Sequence, residues 1–492
     1  MREAGILLPV TALPGPYGVG SLGANARRFL DFLAAAGQRW WQVLPIGPTG
    51  YGDSPYQCFS AFAGNPYLID LNTLIEDGLL TAEECGAEPW GTDGGQVDYG
   101  ALYAGRSAVL KRAQERFYRR IPDDFPAFCE ENADWLEDYA LFSALKEAHG
   151  GAPWYEWPQE LKLRQADALA DAEERCADGV AYHRMVQYLF DRQWMALRAY
   201  AGEKGVKLMG DLPFYVALDS ADVWAHPQWF QLDESLTSTA VAGVPPDAYA
   251  ADGQVWGNPL FDWDAVAKDG YSFWRARLQA AERLFDKTRI DHFRGFESYC
   301  AIPYGDETAH RGVWRKGPGE DFFRAMGAVA SKEKLVAEDL GILTPAVYEL
   351  LEKTGIPGMR VLQFAFVDPS ADSLYLPHHH IKHCVAYTGT HDNDTILGWY
   401  RAAPEAERTF AREYLRLHDG EWENWGVMKA AWGSVAELAI VPMQDVLSLG
   451  SEARMNTPGT FGGNWTWRLA EGALTEELAA ALKGQMALYG RC

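Results

Sequence analysis

The sequence predicts an α/β protein built on a (β/α)8 TIM barrel, and three observations lead to this fold. Eight short apolar runs, each the length of a buried strand, recur along the 492-residue chain. Amphipathic helical patterns lie between many of these runs. Several runs end in an acidic residue, and polar groups collect at the carboxyl ends of the strands in a parallel barrel. An alternation of helices with about eight strands is typical of that architecture.

The predicted strands follow one another along the whole chain. They lie at residues 6–8, 41–44, 207–211, 289–291, 335–338, 359–363, 385–388 and 438–441. Between them, residues 25–36 and 185–200 carry apolar side chains at helical spacing, and Gly37 supplies a stop signal for the first of these helices.

The spacing of the predicted strands is uneven. Residues 49–181 form a segment far longer than one β/α loop, and it contains helical patterns of its own at 101–119 and 134–149. We therefore expect one domain spanning residues 1–492, with inserted, mainly helical subdomains on the carboxyl-terminal side at about 50–180 and 220–270. The Gly/Pro-rich stretch 241–259 is predicted to be a long functional loop within the second insertion.

Composition excludes several classes of partner. The chain has 44 Lys plus Arg against 68 Asp plus Glu, a formal net charge of −24. This charge repels phosphate backbones and anionic lipids, so we expect neither nucleic acid nor membrane partners. Aromatic residues are numerous, at 19 Trp, 23 Tyr and 22 Phe. Their number alone favours core packing, although an aromatic face is also a platform for a sugar ring.

The cysteines indicate the compartment. There are seven, an odd number without a C-x-x-C motif, which argues against a disulfide framework or a zinc ribbon. We find no signal-peptide pattern and no apolar run long enough to span a bilayer. A cytoplasmic location is therefore expected.

Four acids follow or end predicted strands: Asp211, Asp291, Glu338 and Asp392. A single buried acid at a strand end often caps a helix or pairs with an arginine. Four at one end of a barrel are harder to explain in that way, because crowded like charges raise the free energy unless a function requires them. We interpret this end of the barrel as the candidate active site.

Two of these acids suit the pair of carboxyl groups found at sugar-cleaving sites. One group must be ionised to attack the anomeric carbon, and the other must hold a proton for the leaving oxygen. Arg289 lies two residues before Asp291, on the same side of a strand, and a guanidinium there favours the ionised form. Glu338 follows an apolar run, and a drier site raises its pKa. Asp291 is thus the predicted nucleophile and Glu338 the predicted general acid.

Eight sequence blocks, in order and almost from end to end, resemble the signature blocks of the amylomaltases, the 4-α-glucanotransferases of glycoside hydrolase family 77. The blocks are GYGDSPY at 50–56, GDLPFYV at 210–216, AGVPPD at 242–247, WGNP at 256–259, RIDHFRG at 289–295, AEDLG at 337–341, TGTHDN at 388–393 and NWTWR at 464–468. The resemblance implies a barrel with inserted subdomains and neither a cofactor nor a required metal.

The resemblance also implies an activity, partners and residue roles. The activity would be retaining transfer of α-1,4-glucan segments from malto-oligosaccharides, amylose, starch or glycogen chains to an acceptor such as glucose. Asp291 would be the nucleophile, Glu338 the acid/base, and Asp392 the residue that holds and distorts the sugar. The substrate-binding residues would be Tyr56, Asp211, Arg289 and His391 around the reacting glucose, and Tyr51, Ser54, Asp247, Tyr249, Gln254, Trp256 and Asn464 along the glucan path.

Three other hypotheses use some of the same residues. A hydrolytic α-amylase-like enzyme would use the same carboxylates and is the main alternative. A metal-dependent barrel hydrolase would need an H-x-H motif on a strand, which the predicted strands lack. A run of histidines at 378–380 with His383 has no acid or cysteine at ligand spacing, so it indicates an exposed loop. A catalytically inactive glucan-binding scaffold is not favoured, since all three acids are present.

Overall fold

Eight parallel strands close into a barrel in the computed structural model, which describes residues 2–50, 52–91, 94–246, 251–367, 369–418, 422–460 and 462–491. The strands of the chain are β1 (Glu3–Leu7), β2 (Trp40–Gln42), β3 (Lys207–Leu212), β4 (Ala240–Val244), β5 (Gln254–Pro259), β6 (Lys287–Ile290), β7 (Ser298–Pro303), β8 (Val313–Lys316), β9 (Leu335–Ala337), β10 (Gly358–Val361), β11 (Cys384–Tyr387) and β12 (Leu438–Pro442). The barrel order is β1-β12-β11-β10-β9-β6-β3-β2, and every neighbouring pair in it is parallel.

Helices surround the barrel and fill its long connections. They are α1 (Ala24–Ala35), α2 (Leu71–Glu76), α3 (Ala82–Gly86), α4 (Tyr99–Arg119), α5 (Phe125–Glu131), α6 (Ala133–Ala148), α7 (Gln159–Lys162), α8 (Ala166–Arg175), α9 (Ala177–Glu203), α10 (Ala221–Ala225), α11 (Trp263–Lys268), α12 (Ser272–Leu284), α13 (Gly319–Met326), α14 (Pro345–Thr354), α15 (Ile396–Ala402), α16 (Glu405–Leu415), α17 (Glu423–Gly433), α18 (Met443–Val446) and α19 (Glu476–Tyr489). Among the described residues, no helix is both long and apolar enough to cross a membrane.

The predicted barrel is confirmed, and each of its eight strands overlaps a predicted apolar run. Strands such as β9, β11 and β12 are buried at every position. Barrel strands are covered on both faces, by the interior side chains and by the outer helices, and therefore appear in a sequence as continuous apolar runs. This is why the sequence identified them well.

The connection from β2 to β3 contains α2 to α9, which leave from the carboxyl end of β2. The helical patterns predicted at 101–119 and 134–149 correspond to α4 and α6. The side chain of Asp98 accepts the Ala101 N–H and so caps the start of α4.

The segment 241–259 was predicted to be a long loop, and that prediction is wrong for its described residues. Residues 241–244 belong to β4 and residues 254–259 to β5, and these strands join β7 and β8 in a four-stranded antiparallel sheet of order β5-β4-β7-β8. A Cβ at Gly243 would lie 2.1 Å from the carbonyl oxygen of Gln254, so this glycine permits close approach of two strands and does not mark a flexible turn.

Two arginines close the end of the barrel where β1 and β12 begin. Arg491 is fully buried and donates to the carbonyl oxygens of Glu3 (2.8 Å), Trp432 (2.7 Å) and Ser434 (3.1 Å). Arg2 donates to the Ser434 carbonyl oxygen as well (2.6 Å). The two ends of the described chain are thereby fastened to each other on the side opposite the four acids.

Candidate active site

The four acids singled out in the sequence lie at the carboxyl-terminal end of the barrel. Asp211 is the second-last residue of β3, Asp291 follows β6 directly, Glu338 follows β9 directly, and Asp392 lies in the segment after β11. Strand-to-strand hydrogen bonding continues past the strand ends, because the Asp291 N–H donates to Leu212 O and the Glu338 N–H to Ile290 O. The backbone at both predicted catalytic residues is therefore fixed by the barrel.

Arg289 links Asp211 and Asp291 beneath the site. Its Nη1 lies 2.7 Å from both oxygens of Asp211 and 3.0 Å from Oδ1 of Asp291. The side chains of Arg289 and Asp211 are 4% and 0% exposed, whereas that of Asp291 is 28% exposed. Asp291 is accordingly the member that a substrate can reach, and the other two orient it from below.

Tyr56 and His391 extend this network toward the cleft. The Tyr56 hydroxyl donates to Oδ2 of Asp211 (2.8 Å) and lies 3.5 Å from Nδ1 of His391. The two rings are stacked, with centroids 5.1 Å apart, and Trp465 packs against both of them. Tyr56 is thus held by its hydroxyl and by its ring, which fixes its orientation.

Asp392 is more accessible than Asp211 and Asp291, with 44% of its side chain exposed. Asn456 Nδ2 donates to its Oδ1 (2.7 Å), and His391 Nε2 lies 3.3 Å from its Oδ2. Burial raises the pKa of Asp392, but His391 and Asn456 outweigh it, and the net pKa lies well below the ordinary value. Asp392 is therefore ionised and suited to accept hydrogen bonds from sugar hydroxyls.

Two backbone N–H groups from different segments hold the Glu338 carboxyl group. The His292 N–H donates to Oε2 (2.8 Å) and the Leu340 N–H donates to Oε1 (2.9 Å). His292 has the left-handed backbone conformation, with φ of 47°, which is uncommon for a non-glycine residue. This conformation belongs to the turn that directs the His292 N–H to Glu338.

The two candidate reacting carboxyl groups differ in pKa. Burial raises the pKa of Asp291 to about 6, although Arg289 acts in the opposite direction. Burial raises the pKa of Glu338 further, to about 8, against the lowering effects of Arg289 and of its two N–H donors, and the charge of Asp291 adds to the increase. At pH 7 Asp291 is mostly ionised and Glu338 mostly protonated. The sequence predicted a lower pKa for Asp291 than for Glu338. That prediction relied on Arg289 to keep Asp291 ionised and did not include the opposing effect of burial.

An aromatic wall lies beside this pair. The half-buried ring of Trp256 meets the His292 ring edge to face, with centroids 5.0 Å apart, and Tyr215 lies behind it at 6.2 Å. Gln254 fixes Trp256 by accepting its indole N–H (3.0 Å). The predicted residues Gln254 and Trp256 therefore form one unit on β5, next to the residue that holds Glu338.

The remaining predicted binding residues lie in loops around the cleft. Ser54 accepts the backbone N–H of Tyr56 (3.3 Å). The side chain of Asn464 bonds within its own loop, accepting the Thr457 N–H and donating to Thr460, so in this structure it supports the loop that carries Asn456. Three other predicted residues lie outside the described residues: Tyr51, Asp247 and Tyr249.

Sequence reasoning missed Arg454, Asn456 and the two N–H donors of Glu338. Arg454 donates to the backbone oxygen of Asp392 (2.7 Å), next to the Asn456 contact. A signal was available for these two, since they lie in the loop that follows the last predicted strand and hence at the end of the barrel where the acids lie. The two backbone N–H donors of Glu338 could not be found in this way, because every residue except proline has a backbone N–H.

No group of three or more His, Cys, Asp or Glu side chains within the described ranges is arranged to hold a metal ion. The histidines of the 378–383 segment bond separately: His378 to Tyr414, His379 to Ala371 O, His380 to Tyr375 O and His383 to Gly355 O. Their ring nitrogens therefore do not converge.

Comparison with known proteins identifies the group to which this site belongs. A family model described as 4-alpha-glucanotransferase matches residues 8–475. The chain belongs to this family. Among similar proteins, a 4-alpha-glucanotransferase of Thermus thermophilus is 52% identical over 493 residues, which cover 98% of this chain and 97% of the relative. One from Streptococcus pneumoniae is 45% identical over 494 residues, covering 100% and 97%.

The solved structures agree with this membership. The amylomaltase from Streptococcus agalactiae in complex with acarbose matches with a TM-score of 0.97 and 37% identity, over 100% of both chains. The chain is accordingly a glycosyl-transferring enzyme acting on α-1,4-glucans, and the hydrolytic alternative gains no support from the 4-α-glucanotransferase relatives.

Proposed function

We propose that this 4-α-glucanotransferase works by retention, with Asp291 as nucleophile, Glu338 as acid/base and Asp392 as the group that holds the sugar. The observation that carries the proposal is the order of the two pKa values, about 6 for Asp291 and about 8 for Glu338. Near neutral pH one carboxyl group is charged and the other carries a proton, which is the combination that the first step of a retaining mechanism needs.

In the first step, a carboxylate oxygen of Asp291 attacks the anomeric carbon of the donor glucan. The bond from that carbon to the glycosidic oxygen breaks, and Glu338 gives its proton to the leaving oxygen. The products are a glycosyl-enzyme on Asp291 and the released reducing-end fragment. The accessibility of Asp291, at 28% of its side chain, supports its role as the attacking group.

In the second step, Glu338 acts as the base. It takes the proton from the 4-hydroxyl of the acceptor as that oxygen attacks the anomeric carbon, and Asp291 leaves as a carboxylate. Two inversions give net retention of the α configuration, and Glu338 is protonated again for the next cycle.

The surrounding residues support these two steps without reacting. Arg289 and Asp211 are sealed below Asp291 and fix its rotamer. Asp392 is ionised and 44% exposed, so it is suited to accept hydrogen bonds from hydroxyls of the glucose that reacts. Tyr56 and His391, stacked beside it, would form the side of the same subsite.

Transfer outcompetes hydrolysis only if the acceptor is bound and oriented. Effective molarities of well-placed reactants reach about 10⁵–10⁸ M, far above the concentration of water. We propose that the half-buried Trp256, fixed by Gln254, is part of the surface on which the acceptor stacks. Of the other predicted path residues, Ser54 and Asn464 would contribute through the loops they stabilise, and Tyr51, Asp247 and Tyr249 remain proposed contacts.

We further propose the partners, the domain organisation and the compartment. The donors would be malto-oligosaccharides, amylose, starch or glycogen chains, and the acceptors glucose or glucans. Residues 1–492 would form one catalytic domain with insertions at about 50–180 and 220–270. A cytoplasmic location is supported by six cysteines that are free in the described part of the chain: Cys58, Cys85, Cys129, Cys176, Cys300 and Cys384.

Incubation of the purified protein with maltotriose tests the proposal. We expect glucose together with longer malto-oligosaccharides, and no matching increase in total reducing ends, because transfer conserves the number of glycosidic bonds. NMR of the longer products should show that each new glycosidic linkage is α. A β-linkage would contradict retention, and a steady increase in reducing ends would contradict transfer.

A further inference from the structure

The two hydrogen bonds that fix the Glu338 carboxyl group come from segments that follow different strands. The carboxyl group accepts one N–H from His292, which follows β6, and one from Leu340, which follows β9. Both bonds persist only while the His292 turn and the Leu340 turn keep a fixed separation. Backbone hydrogen bonds from the Glu338 N–H to Ile290 O and from the Phe293 N–H to Glu338 O fix the two segments as far as Glu338. A group that fixes the Leu340 turn beyond this point therefore acts on the acid/base from outside the reacting atoms.

Arg294 joins these two turns. It belongs to the 3-10 helix Phe293–Phe296, two residues after His292, and its Nη1 donates to the carbonyl oxygen of Ile342 (2.5 Å), two residues after Leu340. Its guanidinium therefore crosses from one turn to the other, on the same two segments whose N–H groups meet at Glu338.

The Leu340 turn needs such a connection. Asp339 anchors its first part through the Met359 N–H (2.6 Å) and Arg360 (2.9 Å). Beyond that anchor, Leu340 and Leu343 are partly buried against the core, but Gly341 between them has φ of 82° and Ile342 is 71% exposed, so Ile342 itself receives little support from packing.

Trp314 holds Arg294 in place. The guanidinium lies 3.7 Å from the centroid of the Trp314 ring, on the exposed strand β8. A planar guanidinium stacked on an indole keeps its donors in one plane, and lysine does not reproduce this arrangement. Strand β8 thereby contacts the His292 turn through the Trp314–Arg294 side-chain pair.

We propose that Arg294 is a positioning residue for Glu338, which keeps the His292 and Leu340 turns at the spacing that holds both carboxyl oxygens, and that Trp314 orients it. This inference rests on the role proposed for Glu338. Arg294 acts through the backbone and not through contact with the reacting sugar. Loss of the connection should release the Leu340 N–H from Glu338 and impair proton donation.

The consequences can be measured. N–H donors favour the ionised carboxylate, so losing one raises the pKa of Glu338 and moves the alkaline limb of the rate profile to higher pH. Poorer placement of the proton lowers the rate on maltotriose by about 10- to 100-fold, less than the roughly 10²–10⁴-fold that complete loss of a general acid costs. The glycosylation step with a glycosyl fluoride, whose leaving group needs no proton, should be nearly unaffected.

The experiment compares Arg294→Lys, Arg294→Met and Trp314→Leu with the unmodified enzyme. Arg294→Lys retains the charge but loses the stacked two-turn geometry, and Trp314→Leu alters an exposed strand and leaves Arg294 in place. The matched control is Arg315→Met, because Arg315 lies next to Trp314 on β8 and donates to Gln231. Each variant is assayed for glucose release from maltotriose across pH and for the first-turnover burst of fluoride from α-maltosyl fluoride, which reports the first step alone.

We expect both Arg294 variants to lose maltotriose activity selectively and to shift the alkaline limb upward, with a smaller effect for Trp314→Leu and none for Arg315→Met. Equal losses on maltotriose and fluoride, or unchanged rates, would overturn the inference. A shift of the alkaline limb in Arg294→Met but not in Arg294→Lys would also overturn the inference, because it would show that the positive charge alone accounts for the effect. The first step is common to transfer and hydrolysis, so this comparison stands apart from the test of the proposed function.

Discussion

At the scale of single residues, Asp291 and Glu338 differ in their surroundings as much as in their position. Asp291 lies against Arg289, while the nearest donors of Glu338 are two uncharged N–H groups. Burial raises both pKa values, but the closer cation limits the increase at Asp291. The roles proposed for them follow from this difference and can be tested separately.

Substitution of either carboxyl group should nearly abolish turnover, but for a different reason in each variant. Asp291→Asn removes the nucleophile, and Glu338→Gln removes the proton donor, which lowers the rate by about 10²–10⁴-fold through loss of acid catalysis. With α-maltosyl fluoride, Glu338→Gln should recover glycosylation because fluoride leaves without a proton, and Asp291→Asn should not. Asp339→Asn is not a suitable control, because Asp339 anchors the same turn through Arg360. The control is Asp321→Asn, since Asp321 lies on the surface. Equal behaviour of the two variants would refute the assignment.

The pH dependence of transfer should be bell-shaped. As pH falls through about 6, Asp291 takes up a proton and can no longer attack. As pH rises through about 8, Glu338 loses the proton that the leaving oxygen requires. Initial rates on maltotriose between pH 4 and pH 10 measure both limbs. With the fluoride donor the alkaline limb of the glycosylation step should disappear, and its persistence would mean that a group other than Glu338 controls it.

At the scale of elements, the hairpin of β4 and β5 carries Trp256 to the edge of the site. We expect Trp256→Ala to raise the ratio of hydrolysis to transfer by about 2- to 10-fold, because an aromatic contact contributes about 0.5–1.5 kcal/mol beyond burial and the acceptor loses it. Product analysis on maltotriose gives this ratio directly. Trp422→Ala, at an exposed tryptophan before α17, is the control. An unchanged ratio in Trp256→Ala would exclude the ring from acceptor binding.

The same hairpin shows where prediction from the sequence ends. Barrel strands are buried on both faces and were found as apolar runs, and acids that directly follow them, such as Asp291 and Glu338, were found with them. In the sheet of β4, β5, β7 and β8, the central pair of β4 and β7 joins segments far apart in the chain, and β8 is exposed at each position, so no local pattern indicates the sheet.

Some properties of the site also depend on the assembled fold. The left-handed conformation of His292 is not indicated by a histidine, and it is part of the turn that directs an N–H to Glu338. The pKa of Asp291 is raised because neighbouring elements cover it, which no spacing between residues reveals. The sequence thus indicates which groups are candidates for the reaction, while their protonation depends on tertiary packing.

At the scale of the whole molecule, Arg491 connects the last described residues to the start of the barrel. We expect Arg491→Met to destabilise the protein by about 3 kcal/mol, because carbonyl oxygens of Glu3, Trp432 and Ser434 lose a charged donor while remaining buried. Thermal unfolding should occur at a lower temperature, while kcat below the transition stays unchanged, since the active site lies at the opposite end. Arg324→Met, on the exposed surface, should change neither. A stability equal to that of the unmodified enzyme would show that the barrel end closes without Arg491.

The antiparallel sheet has a consequence for how members of this family can exchange parts. Its central pair joins β4, from the connection before strand β6, to β7, from the connection after it. If one connection is replaced by a connection whose strand has a different register, the strand of the remaining connection loses its hydrogen-bond partners. A chimera that takes one connection from a relative therefore breaks an interface, whereas a chimera that takes both preserves it. The unit that can be exchanged between relatives on this side of the barrel is therefore the pair of connections together with β6 between them. An insertion in one connection that changes its strand register requires a matching change in the other connection.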